Sequence, residues 1–195
     1  SRGLGDVYKR QTQYKARLIS PIRVNNGADF LQRFLPEFEK AEEKFGVPKE
    51  IIAAIIGIES SYGSITGRER VIDSLSTLAF DYPRRSNFFT KQLEHFLLLA
   101  REEKLDAFSM KGSYAGAMGY GQFIPSSYRS YAIDFDNDGV RNIVTNPVDA
   151  IGSVANYLSK HGWEKNALIA EALDRNDVTS DFKTSLTLKD KDALE

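Results

Sequence analysis

Apolar residues recur at helical spacing through most of this chain, and prolines cut that pattern into short lengths. Phe30, Phe34, Phe38, Ala41 and Phe45 form one such stripe. Asn25 or Asn26 is a candidate cap before it and Gly46 a stop after it, while Pro36 must kink the helix or split it in two. Val47-Pro48 opens an apolar helix over Ile51, Ile52, Ile55, Ile56 and Ile58, with Pro48 suited to its first turn. Asp73 is a candidate cap for a short helix through Phe80 that Pro83 ends. An amphipathic helix then runs from Ser86 to Leu105 through Phe89, Leu93, Phe96, Leu97 and Ala100. Between Ser109 and Pro125 the pattern lapses, and "SMKGSYAGAMGYGQFIP", with four glycines, reads as loop with brief helical turns. Asn146 and Pro147 restart a helix that Gly162 closes, and the Thr/Ser-rich tail from Asp177 can begin a strand. The expected fold class is mainly α.

Composition removes several classes of function. Asp plus Glu number 27 against 26 Lys plus Arg, a net charge of −1. Neither nucleic acid nor an anionic membrane is recruited by such a balance. No cysteine is present, so there is no disulfide, thiolate nucleophile or thiolate-bound zinc. The longest apolar run, Ile51 to Ile58, is too short to span a bilayer, so no transmembrane segment is expected. No secretory signal is recognised at the start. Asp6 to Gln11, "DVYKRQ", looks like a translated sequencing-library adaptor. Residues 1–11 are therefore expected to be a non-native scar, with an ordinary polar arm as the alternative. A missing signal then says nothing about compartment.

The chemistry narrows by elimination. His95 and His161 are the only histidines, in separate helices without metal-binding spacing. No nucleophile elbow, Walker loop or dinucleotide fingerprint occurs, and Gly112, Gly116, Gly119 and Gly121 fit close packing around a groove better than phosphate binding. Carboxylate chemistry remains. Glu59 ends the apolar helix in "AIIGIESSYG". Low-dielectric surroundings and the negative end of a helix dipole both raise the pKa of a glutamate placed there. A carboxyl still protonated near neutrality can protonate a leaving glycosidic oxygen. Taken alone, Glu59 also fits a solvated last-turn residue. The surroundings move the reading, because aromatics, amides and arginines in "YPRR" and "GSYAGAMGYGQFIPSS" suit sugar rings with N-acetyl and carboxylate groups.

The helix-ending E-S-x-x-G resembles the catalytic signature of goose-type lysozymes and lytic transglycosylases. The stretches "GVPKEIIAAIIGIESSYG", "LAFDYPRRSNFF", "KGSYAGAMGYGQFIPSSYRSYAIDFDNDG" and "NPVDAIGSVANYLSKHGW" resemble the lytic transglycosylase B family, in its order, over Tyr14 to Trp163. The resemblance implies a lysozyme-like α domain over 12–175, with the start of an inserted strand-rich region over 176–195. The chain would then stop before the family's C-terminal region, which supplies one wall of the cleft. The implied activity is cleavage of the β-1,4 bond between N-acetylmuramic acid and N-acetylglucosamine in peptidoglycan, leaving 1,6-anhydromuramyl ends. Glu59 matches the family's acid and base. A glycosidase of either stereochemistry normally needs two carboxylates, and an internal hydroxyl nucleophile removes the need for the second. Ser113 and Gln122 match substrate-cleft positions, Arg84 and Arg85 the family's "PRR", and Tyr14 an N-terminal tyrosine of the cleft. Structural pairing with Asp81 or Glu94 is the alternative for the arginines, and Met118 and Phe123 read as cleft-wall packing. The expected partner is the peptidoglycan strand and the location periplasmic or outer-membrane-associated; the chain is expected to be monomeric. A muramidase hydrolysing the same bond and a non-catalytic, calcium-stabilised glycan-binding module are the competing readings.

"DFDNDGVRN" matches D-x-D-x-D-G, the opening of an EF-hand loop. Asp134, Asp136 and Asp138 alternate, Gly139 takes the sharp turn, and Val140 offers a backbone carbonyl. Position twelve is Thr145 instead of Glu; by resemblance to the family's longer loop, Asp149 supplies the closing carboxylate. The expectation is a structural Ca²⁺ with no catalytic cofactor, against the plainer reading of a solvated acidic turn.

Overall fold

The computed structural model describes Lys15 and residues 18–167. Tyr14, the scar expected over 1–11 and the strand-rich region expected over 176–195 lie outside the described residues. The chain divides into two units, Ser1–Lys165 and Asn166–Glu195, and only Asn166 and Ala167 of the second are described. The helices, core and cleft that follow all belong to the first.

Helix α1 spans Pro21–Arg33. Its cap is Ser20, whose Oγ accepts a hydrogen bond from the Arg23 N–H at 3.2 Å, with Pro21 in the first position. Asn25 and Asn26 are therefore inside the helix and do not cap it. A Ser-Pro pair provides both a side-chain acceptor and a preset φ, and it starts the helix a turn earlier. Pro36 splits the phenylalanine stripe as expected: α1 stops at Arg33 and α2 runs Leu35–Phe45. Gly46, at φ 71°, ends α2 in the left-handed conformation that suits glycine. The Trp163 Nε1–H donates to the Gly46 carbonyl at 2.9 Å, tying a segment 117 residues further along the chain to this turn.

Helix α3, Lys49–Ser60, follows Pro48 directly and carries the isoleucine run. Ile52, Ala53, Ile56 and Gly57 are buried, while Ala54 and Ile58 face outward. Two-residue strands β1 (Glu69–Arg70) and β2 (Lys111–Gly112) pair antiparallel, with Glu69 opposite Gly112. Helix α4, Val71–Asp81, has Asp73 as its third residue, where it bonds Arg70 Nε at 2.6 Å; it is not the cap. A short 3₁₀ turn at Pro83–Arg85 leads into α5, Ser86–Glu102. Leu97 is 48% exposed and stands off the apolar face that Phe89, Phe96, Leu99 and Ala100 bury. One step beyond Phe96 on a 100° repeat carries a side chain out of the stripe. Helix α6 is Pro125–Tyr131, and α7 is Pro147–Lys160, capped by Asn146 as its sequence implied (Val148 N–H to Oδ1, 2.9 Å).

Helices α4 and α5 make the most extensive pair, α6 packs on α5, and α3 contacts α1, α2 and α7. The fully buried centre includes Phe38, Ile56, Leu75, Phe96, Tyr128 and Ile151. Tyr62, just past α3, is anchored by its hydroxyl donating to the Arg23 carbonyl at 3.1 Å, and its ring lies 5.5 Å from that of Phe30. A Cβ on Gly57 would overlap the Tyr62 hydroxyl and ring. Gly57→Ala should therefore lose about 1–3 kcal/mol by overpacking, although alanine in a helix ordinarily gains about 1 kcal/mol over glycine. In the Tyr62→Ala background the same change should turn neutral or stabilising. Urea titration of the four proteins measures the cycle, and an equal loss in both backgrounds refutes the packing account.

Candidate active site

The end of α3 holds Glu59, and the next residue holds the end of α3. Ser60 is 1% exposed. Its hydroxyl donates to the Tyr120 carbonyl at 2.7 Å, lies 3.1 Å from the Ile56 carbonyl and accepts from the Gly63 N–H at 3.0 Å. The chain leaves the helix through three successive left-handed residues: Ser61 (φ 48°), Tyr62 (58°) and Gly63 (83°). Non-glycine residues in that region carry strain of about 1 kcal/mol or more each and persist only where surrounding contacts determine them; here the Ser60 and Tyr62 bonds do so.

Opposite Glu59 is a tight hairpin. Met118 and Phe123 exchange backbone hydrogen bonds at 2.9 and 3.0 Å, enclosing Gly119 to Gln122. At Gly119, with φ 72°, a Cβ would collide with the Ile143 carbonyl, so the turn cannot carry a side chain there. Gln122 takes φ 50°, and its Nε2 donates to the Thr66 carbonyl at 3.1 Å and the Gly119 carbonyl at 2.9 Å. With the amide N–H groups spent on the loop, Oε1 is the group left for a ligand; it accepts no hydrogen bond among the described residues.

Glu59 and Gln122 line one cleft of about 440 Å³. Phe123, Ile124 and Ser127 continue its floor from the hairpin into α6, and Val154, Tyr157 and Leu158 of α7 supply the other side. Glu59 is the only acid among these lining residues. It is exposed to solvent, yet desolvation by its neighbours raises its carboxyl pKa above the ordinary value. A charged form partly stripped of water is the disfavoured one. Ile55, one helical turn before Glu59, lines the same cleft.

The other sequence-derived candidates lie elsewhere. Ser113 does not line this cleft: its Oγ accepts from the Ala115 and Ala117 N–H groups at 3.3 and 3.1 Å and organises the turn after β2. Arg84 and Arg85 are exposed in the 3₁₀ turn, and neither pairs with Asp81 or Glu94 among the described residues. The Arg85 guanidinium instead lies over the Phe88 ring at 4.4 Å. Lining residues that the sequence reading did not assign to the cleft are Ile55, Ile124, Ser127, Val154, Tyr157 and Leu158. Ile55 was available from its four-residue spacing before Glu59, and Val154, Tyr157 and Leu158 share one face of α7 by the same rule. Ser127 and the Ser60 contact needed the tertiary structure.

In the acidic loop, Asp134, Asp136 and Asp149 each present an oxygen within 4.8 Å of the others, an arrangement able to hold a cation. Asp138 is outside that group and accepts from the Val140 N–H at 2.8 Å. Asp149 is fully buried, and its two oxygens accept from the Phe135 and Asn142 N–H groups, each at 2.7 Å. Its pKa is nonetheless raised, chiefly by burial and further by the charges of Asp136 and Asp134. The Asn146 amide does the opposite for Asp136, bonding it at 2.8 Å and lowering its pKa. Beside the loop, the buried Tyr128 hydroxyl donates to the Arg141 carbonyl at 2.7 Å, and burial pushes its pKa up to about 12.

Residues 6–194 match the family model described as the transglycosylase SLT domain. The chain is 50% identical over 158 residues to the membrane-bound lytic murein transglycosylase B of Escherichia coli (strain K12), covering 81% of this chain and 44% of that protein. It is similar to the Escherichia coli lytic transglycosylase Slt35 solved in complex with calcium (TM-score 0.79, 50% identity, 80% of this chain and 50% of that one). It is similar too to SltB3 from Pseudomonas aeruginosa solved with NAG-anhNAM-pentapeptide (TM-score 0.76, 39% identity, 80% of this chain and 41% of that one). The chain thus spans half or less of the length of these relatives. A helix-ending glutamate facing a glycine-rich hairpin across a cleft, in a mainly α domain with this agreement over nearly all of its sequence, makes the chain a member of the transglycosylase SLT domain family.

Proposed function

We propose that the protein of which this chain is part is a peptidoglycan lytic transglycosylase, with Glu59 as both acid and base. The observation that carries the reading is the solitary carboxyl, raised by desolvation, lining the cleft. Protonated, it donates to the glycosidic oxygen as the bond to C1 breaks. As carboxylate, it then takes the proton of the muramic C6 hydroxyl as that oxygen bonds C1, which closes the 1,6-anhydro ring and restores the acid. Water-based routes normally use a second carboxylate, and no other acid lines the cleft among the described residues. The anhydro sugar bound to SltB3 supports the same product here. Gln122 Oε1 accepts from a sugar hydroxyl or N-acetyl N–H. By the family resemblance Tyr14, Ser113, Arg84 and Arg85 are further strand-binding residues, the arginines suited to lactyl or peptide carboxylates. The glycan strand is the partner, met in the periplasm or at the outer membrane; the Escherichia coli relative is named as membrane-bound, and no described helix is long and apolar enough to cross a membrane.

The acidic loop is proposed to hold calcium. Asp134, Asp136 and Asp149 fit a hard cation by donor type and spacing. Asp138 and the Val140 carbonyl complete an EF-hand-like set, and the Slt35 complex supports calcium as the ion. When bound, the ion neutralises the crowded carboxylates and stiffens the loop.

In the full-length protein, Glu59→Gln should lower turnover on cell-wall strands by about 10²–10⁴-fold or more while leaving glycan binding near wild type. Mass spectrometry of the wild-type digest should find anhydromuramyl ends. Reducing ends would transfer the chemistry to a water-using muramidase, and activity of Glu59→Gln within tenfold of wild type would remove Glu59 from its role.

The raised Glu59 pKa carries a signed consequence for stability. The folded state holds this proton more tightly than the unfolded state, so its contribution is full below the ordinary carboxylate pKa and lost as pH rises through the folded value. Glu59→Gln should thus melt higher than wild type at pH 7, with the gap closing below pH ~4. A gap that is constant with pH contradicts this.

Calcium should raise the melting temperature, with stabilisation of about 2.7 kcal/mol at a hundredfold excess over Kd. Asp136→Ala or Asp149→Ala should abolish the increase, and magnesium should substitute poorly. Superimposable melting curves with calcium and with chelator would refute the site.

A further inference from the structure

His161 enters the sequence reading only as one of two histidines without metal-binding spacing, and the proposed reaction gives it no task. The structure gives it close company. It ends α7, four positions after Tyr157 of the cleft wall, and residues so spaced lie one above the other on a helix. The imidazole stacks on the Tyr157 ring, with centroids 3.9 Å apart and planes inclined by 21°. Its Nδ1 lies 2.7 Å from the Tyr157 carbonyl, and a carbonyl only accepts, so Nδ1 carries the proton. His161 therefore holds Tyr157 at two points, ring on ring and N–H on backbone. Two more aromatic rings complete the surroundings. Tyr131, the last residue of α6, meets Tyr157 edge-on at 5.2 Å and His161 at 4.7 Å. Phe123 of the hairpin lies 5.4 Å from Tyr157. His161 is exposed, but its backbone is tied on its far side: the Trp163 N–H donates to the Leu158 carbonyl at 3.1 Å.

From this geometry we infer that His161 is a positioning residue of the cleft, fixing the Tyr157 ring as part of the wall that the substrate meets. Of the α7 residues that line the cleft, Val154, Tyr157 and Leu158, only Tyr157 is aromatic. With one face of its ring covered by the imidazole, Tyr157 turns only by breaking the stack. Loss of an aromatic pair shifts such a balance by about two- to tenfold. Where only the held rotamer accepts the guest, apparent affinity falls in proportion to the fraction of molecules that keep it. Glu59, on α3, takes no part in the stack, so the bond-breaking step should be untouched. The inference rests on the proposed glycan reading for the identity of the guest, while the stack and its effect on Tyr157 stand without it.

Three substitutions separate the two contacts. His161→Phe keeps a stacking ring and loses the N–H, His161→Asn keeps a donor and loses the ring, and His161→Ala removes both. In the chain, NMR three-bond couplings about the Cα–Cβ bond of Tyr157 should report one rotamer in wild type and His161→Phe. The same couplings should be averaged in His161→Asn and His161→Ala. In the full-length protein, His161→Asn and His161→Ala should raise KM on cell-wall strands about two- to tenfold, with kcat changed by less than about twofold. His161→Phe should restore KM. A single Tyr157 rotamer in His161→Ala overturns the proposal. An unchanged KM, a fall in kcat at constant KM, or a KM that His161→Phe does not restore also overturns it, since a residue that only supports the fold gives those results. Should wild type cleave no strand, the transglycosylase reading falls, and the couplings alone decide whether His161 fixes Tyr157.

Discussion

The hydrogen bond from the buried Ser60 hydroxyl to the Tyr120 carbonyl, 2.7 Å long, joins the helix bearing Glu59 to the hairpin bearing Gln122. The Ser60 hydroxyl also serves the Gly63 N–H, so its removal would leave a part-buried carbonyl and a backbone donor short of partners. Each such group costs about 1–3 kcal/mol when left unsatisfied, against about 1 kcal/mol for an ordinary hydrogen bond. The same contact continues outward. Tyr120 donates its N–H to the Ile143 carbonyl at 3.1 Å, and Asn142, one residue before, donates to Asp149 at 2.7 Å. The acidic loop, the hairpin and the end of α3 therefore form one bonded series.

The cleft's chemistry depends on what is kept out of it. Four aspartates stand in the acidic loop and its closing helix, while Glu59 faces apolar and amide groups from Ile55, Phe123 and Gln122. Burial moves both Glu59 and Asp149 upward in pKa, but their surroundings differ. Asp149 accepts two backbone N–H groups that favour its charged form and lies near two other carboxylates, a setting suited to a cation. Glu59 receives no such donor among the described residues and is open to solvent, a setting suited to proton transfer. One fold thus gives two carboxyls, both raised by burial, different surroundings: backbone donors and neighbouring carboxylates for Asp149, apolar and amide groups for Glu59.

The sequence by itself determined the mainly α architecture, the proline split between α1 and α2, the caps at Gly46 and Asn146, and the placing of Glu59 at a helix end, because these follow from local steric rules and a 3.6-residue period. It misplaced the caps at Asn25, Asn26 and Asp73, since the competing Ser20-Pro21 start and the Arg70 ion pair are equally local but were outweighed by closer-lying cap candidates. Periodicity identified the face of α5 yet put Leu97 on it, one position past the stripe's edge. What only the tertiary structure decided is the company each side chain keeps. It set Gln122 across from Glu59 and turned Ser113 and Arg85 to local contacts, and it brought Asp134, Asp136 and Asp149 together while leaving Asp138 outside. Those outcomes depend on contacts between segments tens of residues apart, such as Ser60 with Tyr120 and Gln122 with Thr66. No local pattern encodes such a distance, because it results from how the whole core packs.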